Sequence, residues 1–99
     1  MELQIEVDKE RVAAFCRKHH IRRLAFYGSV LRSDFRDDSD VDILVEFDCQ
    51  HVPGLMALAE MEEELSEMLG RKADMRTLED LSRHFRDEVV NTALVQYAA

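Results

Sequence analysis

Two aspartates, Asp40 and Asp42, stand two residues apart in a stretch where apolar and polar residues alternate. Side chains two residues apart on a β-strand project from the same face, so we expect these carboxylates to lie side by side. Adjacent carboxylates repel each other unless a cation lies between them. Mg²⁺ suits such oxygen ligands, because it takes one or two carboxylates and completes its shell with water and substrate phosphates. The pattern is compatible with a magnesium site, and taken alone it fits a solvated acidic loop at least as well.

Gly28 and Ser29 follow a short apolar run and form a candidate site for an anion. Glycine lets the backbone turn tightly and come close to a ligand. Ser29 opens a predicted helical stretch whose free N–H groups and positive dipole end favour an anion, and its hydroxyl adds a donor. Arg32, one turn later, could reach the same phosphate. The alternatives are an ordinary capped turn and a surface arginine paired with Asp34 or Asp37.

Asp74 is a third carboxylate in a stretch that has room for a strand. In a strand between residues 71 and 77, alternation puts Asp74 on the face opposite to Ala73 and Met75. If this strand neighbours the one with the aspartate pair, the three carboxylates can cluster. Such a cluster can hold two metal ions, with one carboxylate placed to accept a proton from an attacking hydroxyl. Taken alone, Asp74 would be a charge on an edge strand.

The elements that must position these groups follow from the period of the apolar residues. They predict a small mixed α/β domain whose sheet is covered by helices on one face. Four helical stretches are predicted: from Asp8 to His20, around Val30 to Arg32, from Leu55 to the stop at Gly70, and from a cap at Thr77 through Leu81, Phe85, Val89 and Leu94. The strands are Leu24 to Tyr27, Asp40 to Phe47, and the one within residues 71–77.

The last stretch of the chain is unusually apolar for the end of a small domain. Val90, Leu94 and Tyr97 repeat at three and four residues, which is typical of a helix at an interface. Core packing explains the same spacing about as well. We therefore expect a C-terminal helix through which a homo- or hetero-oligomer could form.

Composition narrows the function classes further. The chain has 99 residues, which predicts a single domain over residues 1–99. Its 13 Lys+Arg against 21 Asp+Glu give a net charge of −8, which argues against direct nucleic-acid binding through the phosphate backbone. Apolar runs are too short to span a bilayer, no secretory signal is visible, and two cysteines are too few for a disulfide framework. These features predict a cytoplasmic protein with no membrane partner.

Together the motifs resemble a known family. Ten residues separate Ser29 from Asp40, giving the pattern Gly-Ser-x10-Asp-x-Asp. This segment resembles the minimal nucleotidyltransferase domains of the DNA polymerase β-like superfamily and is most specific between residues 26 and 45. The matching residues are Gly28, Ser29, Arg32, Asp34, Ser39, Asp40 and Asp42, followed by a helix and by Asp74. One departure is Ser33, where the family often has glycine; it could shift Arg32 but leaves the carboxylates untouched.

The resemblance implies a fold, a reaction and a set of site residues. It implies the polymerase β-like nucleotidyltransferase fold, with Asp40, Asp42 and Asp74 as catalytic ligands of two Mg²⁺ ions and Asp74 as the base. It further implies that the triphosphate of ATP is held at a nucleotide-binding set of four residues: Gly28, Ser29, Arg32 and Ser39. A substrate hydroxyl would attack the α-phosphate, so that AMP is transferred and pyrophosphate leaves.

Stand-alone members of about this length resemble the antitoxin half of toxin–antitoxin pairs. The implied partner is a HEPN-type ribonuclease toxin, which the antitoxin silences by attaching AMP to a tyrosine. Two other functions stay open from the residues themselves. The chain could neutralise its partner by binding alone, or it could transfer a nucleotide to the hydroxyl of a small molecule.

Overall fold

Local signals that the sequence predicts lie at the start of the first helix and at the end of the second. The computed structural model describes Ile5, residues 7–31 and residues 39–98. Helix α1 spans Lys9–Lys18, and the Asp8 carboxylate caps it by accepting from the backbone N–H groups of Glu10 and Arg11. Helix α2 spans Leu55–Leu69 and ends at Gly70, whose φ of 67° is left-handed. Helix α3 spans Arg83–Thr92.

A four-stranded mixed sheet carries the site. Strands β1 (Ile21–Tyr27), β2 (Val41–Phe47), β3 (Ala73–Arg76) and β4 (Leu94–Ala98) lie in the order β3-β2-β1-β4. Strand β1 is antiparallel to both β2 and β4, whereas β2 and β3 are parallel. A short 3₁₀ helix, Gly28–Leu31, follows β1, and a second one, Leu78–Asp80, follows β3.

The main core lies between one face of the sheet and helices α1 and α2. Val41, Ile43 and Val45 of β2 are fully buried there, which confirms the predicted alternation and turns Asp42 to the opposite face. Residues from both helices complete this core: Val12, Phe15 and Cys16 from α1, and Met61 and Leu65 from α2. The packing of this face fixes which side of the sheet the aspartates occupy.

The opposite face is also partly covered, which the sequence analysis did not predict. Tyr27, Leu81 and Val89 form a smaller buried cluster there, packed against Leu44 and Ala93. Helix α3 brings Val89 to this face. Its presence beside the aspartates turns an exposed sheet surface into a cleft.

The predicted C-terminal interface helix is wrong beyond Thr92. Helix α3 ends there, Ala93 adopts extended backbone angles, and β4 pairs with β1 through Phe26–Leu94 and Leu24–Tyr97. The backbone groups on this edge of β1 need hydrogen-bond partners, and a strand supplies them where a helix cannot.

The predicted cap at Thr77 is also misplaced. Thr77 shares a reciprocal capping box with Asp80 on the 3₁₀ helix Leu78–Asp80. The residue that caps α3 is Ser82, whose hydroxyl accepts from the backbone N–H of Phe85. In the described part of the chain, no helix has the length and apolar character needed to cross a membrane.

Candidate active site

Strand register brings the candidate carboxylates together. Asp42 and Asp74 are direct partners in the parallel pairing of β2 and β3, so both side chains lie on the face that α1 and α2 leave free. Tyr27 is the partner of Asp42 in the antiparallel pairing of β1 and β2. These three side chains form a row across three strands. The row lies in a cleft lined by Tyr27, Gly28, Ser29, Asp42, Asp74, Arg76, Asp80, Leu81, Ser82 and Phe85.

Gly28 lies against the middle of this row, at Asp42, in a position that favours glycine. Its φ is +76°, a conformation that residues with a side chain rarely adopt. A Cβ at this position would lie 2.6 Å from Oδ2 of Asp42, well inside van der Waals contact. The turn therefore brings bare backbone against the carboxylate and places Ser29 beside it. The close approach of the Gly28–Ser29 turn to a bound ligand stays a prediction.

Arg76 is the only cationic residue among the described residues that line the cleft. Its Nη2 lies 3.4 Å from Oδ2 of Asp74, and the charge of Asp74 raises the pKa of Arg76. Both side chains are partly exposed, at 47% and 32%. A charge pair in water contributes little to stability, so we infer that Arg76 matters more for the charge of the cleft than for folding.

Tyr27 keeps its proton throughout the physiological range. Burial raises the pKa of its phenol to about 12, and the charges of Asp42, Asp74 and Asp80 add to that effect while Arg76 opposes it. The phenol is therefore neutral beside the carboxylates and can donate a hydrogen bond. The sequence analysis missed Tyr27 as a cleft residue. The four residues from Leu24 to Tyr27 are all buried, so apolar and polar residues do not alternate there and the sequence does not show which face of the sheet Tyr27 occupies.

The structure places the predicted site residues in two groups. Gly28, Ser29, Asp42 and Asp74 line the cleft. Asp40 immediately precedes β2, is exposed and does not line it. Ser39 is half-buried. Arg32 lies outside the described residues, and so does Ser33. The metal roles of the aspartates stay predictions.

The donor set of the cleft fits one magnesium ion. Asp42 and Asp74 supply two carboxylates side by side, which is the protein contribution that Mg²⁺ commonly takes before phosphates and water. Within residues 7–31 and 39–98, no group of three or more His, Cys, Asp or Glu side chains is arranged to hold a metal. A pair of carboxylates completed by a substrate is consistent with both observations.

A comparison with protein families decides the class. The model of the nucleotidyltransferase domain family matches residues 9–96. The chain belongs to this family. The nucleotidyltransferase assignment that the sequence motifs predict is therefore confirmed, and with it the polymerase β-like α/β fold.

Two similar proteins carry the name protein adenylyltransferase, one of them provisionally. The chain is 30% identical over 92 residues to MJ0435 of Methanocaldococcus jannaschii, which is provisionally named a protein adenylyltransferase. This match covers 93% of the chain and 97% of the relative. It is 40% identical over 55 residues to the protein adenylyltransferase MntA of Thermococcus cleftensis. That match covers 56% of this chain and 54% of the relative.

Solved structures share the fold. A protein described provisionally as a minimal nucleotidyltransferase superposes with a TM-score of 0.72 at 31% identity, covering 87% of this chain and 86% of that one. A toxin–antitoxin crystal structure with AMP-PNP gives a TM-score of 0.76 at 18% identity, covering 94% and 75%. The MntA–HepT toxin–antitoxin structure gives 0.67 at 17% identity, covering 92% and 70%.

Proposed function

We propose that this protein transfers AMP from ATP to a hydroxyl, most readily a tyrosine, of a HEPN-type toxin and thereby acts as its antitoxin. The observation that carries the proposal is the register of Asp42 against Asp74, beside the Gly28–Ser29 turn. Two of the named relatives are called protein adenylyltransferases. Proteins of the same fold are described as toxin–antitoxin assemblies, one of them with AMP-PNP.

Asp42 and Asp74 would hold Mg²⁺, and Asp40, which immediately precedes β2, would join them when a nucleotide is bound. Two ions are expected, because the triphosphate supplies the oxygen ligands that the protein lacks. Bound there, the metal neutralises the phosphate charge and lowers the pKa of the attacking hydroxyl. Among the residues that the structure describes, the cleft offers three carboxylates, from Asp42, Asp74 and Asp80, against the single positive charge of Arg76. Without a cation, this balance would repel a nucleotide.

The chain's own groups then bind the nucleotide and move one proton. Backbone N–H groups of the Gly28–Ser29 turn and the Ser29 hydroxyl bind the phosphates, with Arg32 and Ser39 as the further predicted contacts. The acceptor oxygen forms a bond to the α-phosphorus as the bond from that phosphorus to the β-bridging oxygen breaks, and pyrophosphate leaves. Asp74 accepts the proton of the acceptor hydroxyl. A neutral Tyr27 adds no further negative charge beside the reacting phosphate.

A protein acceptor accounts for the open site better than a small molecule does. The described part of the cleft is a groove on one sheet face, bordered by α3 and by the two short 3₁₀ helices, so a second macromolecule can approach it. ATP as the donor is consistent with a cytoplasmic site of action. We treat residues 1–99 as one domain, because the described elements share one sheet.

The experiment combines the purified protein, Mg²⁺, α-labelled ATP and a lysate of the source organism. Asp42→Asn and Asp74→Asn run alongside, with Asp87→Asn as the matched control, because Asp87 is exposed on α3 and does not line the cleft. We expect one labelled protein band with the unchanged chain and with the control. The label should fall at least about 100-fold in both cleft variants, as general-base and metal-ligand losses of this kind do.

The same experiment separates the three functions. A partner that co-purifies without label would indicate neutralisation by binding alone. Label that appears only in small molecules would indicate a small-molecule acceptor. Equal labelling by Asp74→Asn and Asp87→Asn would contradict the proposed site.

A further inference from the structure

A second recess adjoins the cleft and shares Gly28 with it. It lies between α3 and the 3₁₀ helix Gly28–Leu31. Its lining residues are Tyr27, Gly28, Leu31, Phe85, Glu88, Val89 and Thr92. Three of them, Tyr27, Gly28 and Phe85, also line the cleft, so the two spaces are continuous. The proposed function uses the cleft and leaves this recess without a role.

One stripe of α3 forms the wall of the recess. Phe85, Glu88, Val89 and Thr92 follow at three- and four-residue spacing and therefore share a face of the helix. Val89 is 3% exposed and anchors this face against Tyr27. Phe85, one turn earlier, remains 46% exposed at the junction of the two spaces. An aromatic ring in that position offers a stacking surface that the fold itself does not cover.

We propose that this recess holds the nucleobase of the nucleotide, stacked on Phe85, with the Glu88 carboxylate accepting a hydrogen bond from an exocyclic amine. The inference rests on the proposed function and names the residues that bind the base of its nucleotide. Aromatic stacking gains most from a purine, because its two rings cover more of the phenyl face. A carboxylate accepts hydrogen bonds from the 6-amino group of adenine and equally from the 2-amino group of guanine, so Glu88 favours a purine that carries an exocyclic amine.

Gly28 connects the proposed base-binding recess to the carboxylates of the cleft. Gly28 lines both spaces and lies against Asp42, so phosphates bound on its turn are next to the carboxylates. A nucleotide held there can extend its base toward α3 while its phosphates stay beside Asp42. Leu31, which is 6% exposed, supplies an apolar wall of the recess opposite α3.

Equilibrium binding tests the inference without using catalysis. Isothermal titration calorimetry with Mg²⁺ compares ATP with inorganic tripolyphosphate, which has the phosphates but no base. Phe85→Ala should weaken ATP binding by roughly 5- to 150-fold, the range found for loss of one base–aromatic stack, and leave tripolyphosphate unchanged. Phe85→Trp should keep ATP affinity. Val90→Ala is the matched control, since Val90 is exposed on α3 and lines a different groove.

Glu88→Gln tests the hydrogen bond to the exocyclic amine. An amide oxygen is a weaker acceptor than a carboxylate, so the preference for ATP over purine riboside triphosphate, which lacks that amine, should fall by about 3- to 10-fold, the value of one hydrogen bond to a partly exposed group. Circular dichroism confirms that each variant is folded.

Two results would overturn the inference in distinguishable ways. If ATP and tripolyphosphate bind equally well to the unchanged chain, and Phe85→Ala alters neither, the base does not occupy the recess although the proposed function stands. If neither ligand binds the unchanged chain, the proposed function fails together with this inference.

Discussion

Replacing Gly28 with alanine should separate catalysis from stability. The substitution forces a side chain into φ +76°, which costs about 1–2 kcal/mol for a residue other than glycine. The new Cβ would also lie 2.6 Å from Asp42 Oδ2. That oxygen ends a short side chain, so the carboxylate can rotate away at little cost to folding. The cost to the site is larger, because a shift of about 1 Å in a catalytic group can lower the rate by about 100-fold.

Gly70→Ala is the matched control for this prediction. Gly70 has a φ of +67°, close to that of Gly28, but a Cβ there meets nothing within 4 Å. Both variants should therefore lose about 1–2 kcal/mol of unfolding free energy, which for a domain of this size lowers Tm by about 4–16 °C. Only Gly28→Ala should also lose AMP transfer, by about 100-fold.

The assay pairs urea unfolding with the labelled-ATP transfer reaction, both at a temperature where each variant is folded. Equal transfer rates for Gly28→Ala and Gly70→Ala would refute the reasoning, because the position of the Asp42 carboxylate would then have no bearing on the reaction. A much larger loss of stability in Gly28→Ala would show that Asp42 cannot move aside.

Three further predictions follow from the cleft and the core. Without Mg²⁺, Asp42→Asn should leave Tm unchanged within about 4 °C or raise it, since it removes repulsion with Asp74; a large drop in thermal unfolding experiments would count against a cation site there. Leu65→Ala should lose about 2–5 kcal/mol in urea unfolding, because Leu65 is fully buried under the sheet, and a loss below 1 kcal/mol would mean that α2 packs loosely. Burial raises the pKa of the Cys16 thiol from 9.0 to about 12. The contribution of the buried neutral thiol to the free energy of unfolding is therefore complete below pH 9 and disappears as pH rises toward 12. At pH 8, iodoacetamide should label exposed Cys49 and spare Cys16 by mass spectrometry; equal labelling would contradict the packing of α1.

The sequence predicted which face of a strand each side chain occupies more reliably than it predicted which strands pair with each other. Alternation in β2 assigned Val41 and Ile43 to the core and Asp42 to the other side, because the period of a strand is a local property. The pairing of Asp42 with Asp74 depends on a parallel register between strands that are separated by α2. No local pattern encodes that register, so the sequence could only state what would follow if the strands were neighbours.

The C-terminal stretch shows the opposite case, where a local pattern misleads. Val90, Leu94 and Tyr97 fit helical spacing, yet Leu94–Ala98 is a strand. A short apolar run fits both periods, and the edge of β1 decides between them by offering hydrogen-bond partners to β4. Phe85 was read only as part of the last helix, since its place beside Gly28 depends on how α3 packs across the sheet.

The rate of AMP transfer by Asp74→Asn, relative to Asp87→Asn, tests the central claim most directly. The reaction contains the unmodified form of the partner that the lysate experiment identifies, with Mg²⁺ and α-labelled ATP at saturation. Because Asp74 is the register partner of Asp42 and is the proposed base, we predict a rate at least about 100-fold below that of the control. A rate within about twofold of the control would mean that the Asp42–Asp74 pair is not the site of nucleotidyl transfer.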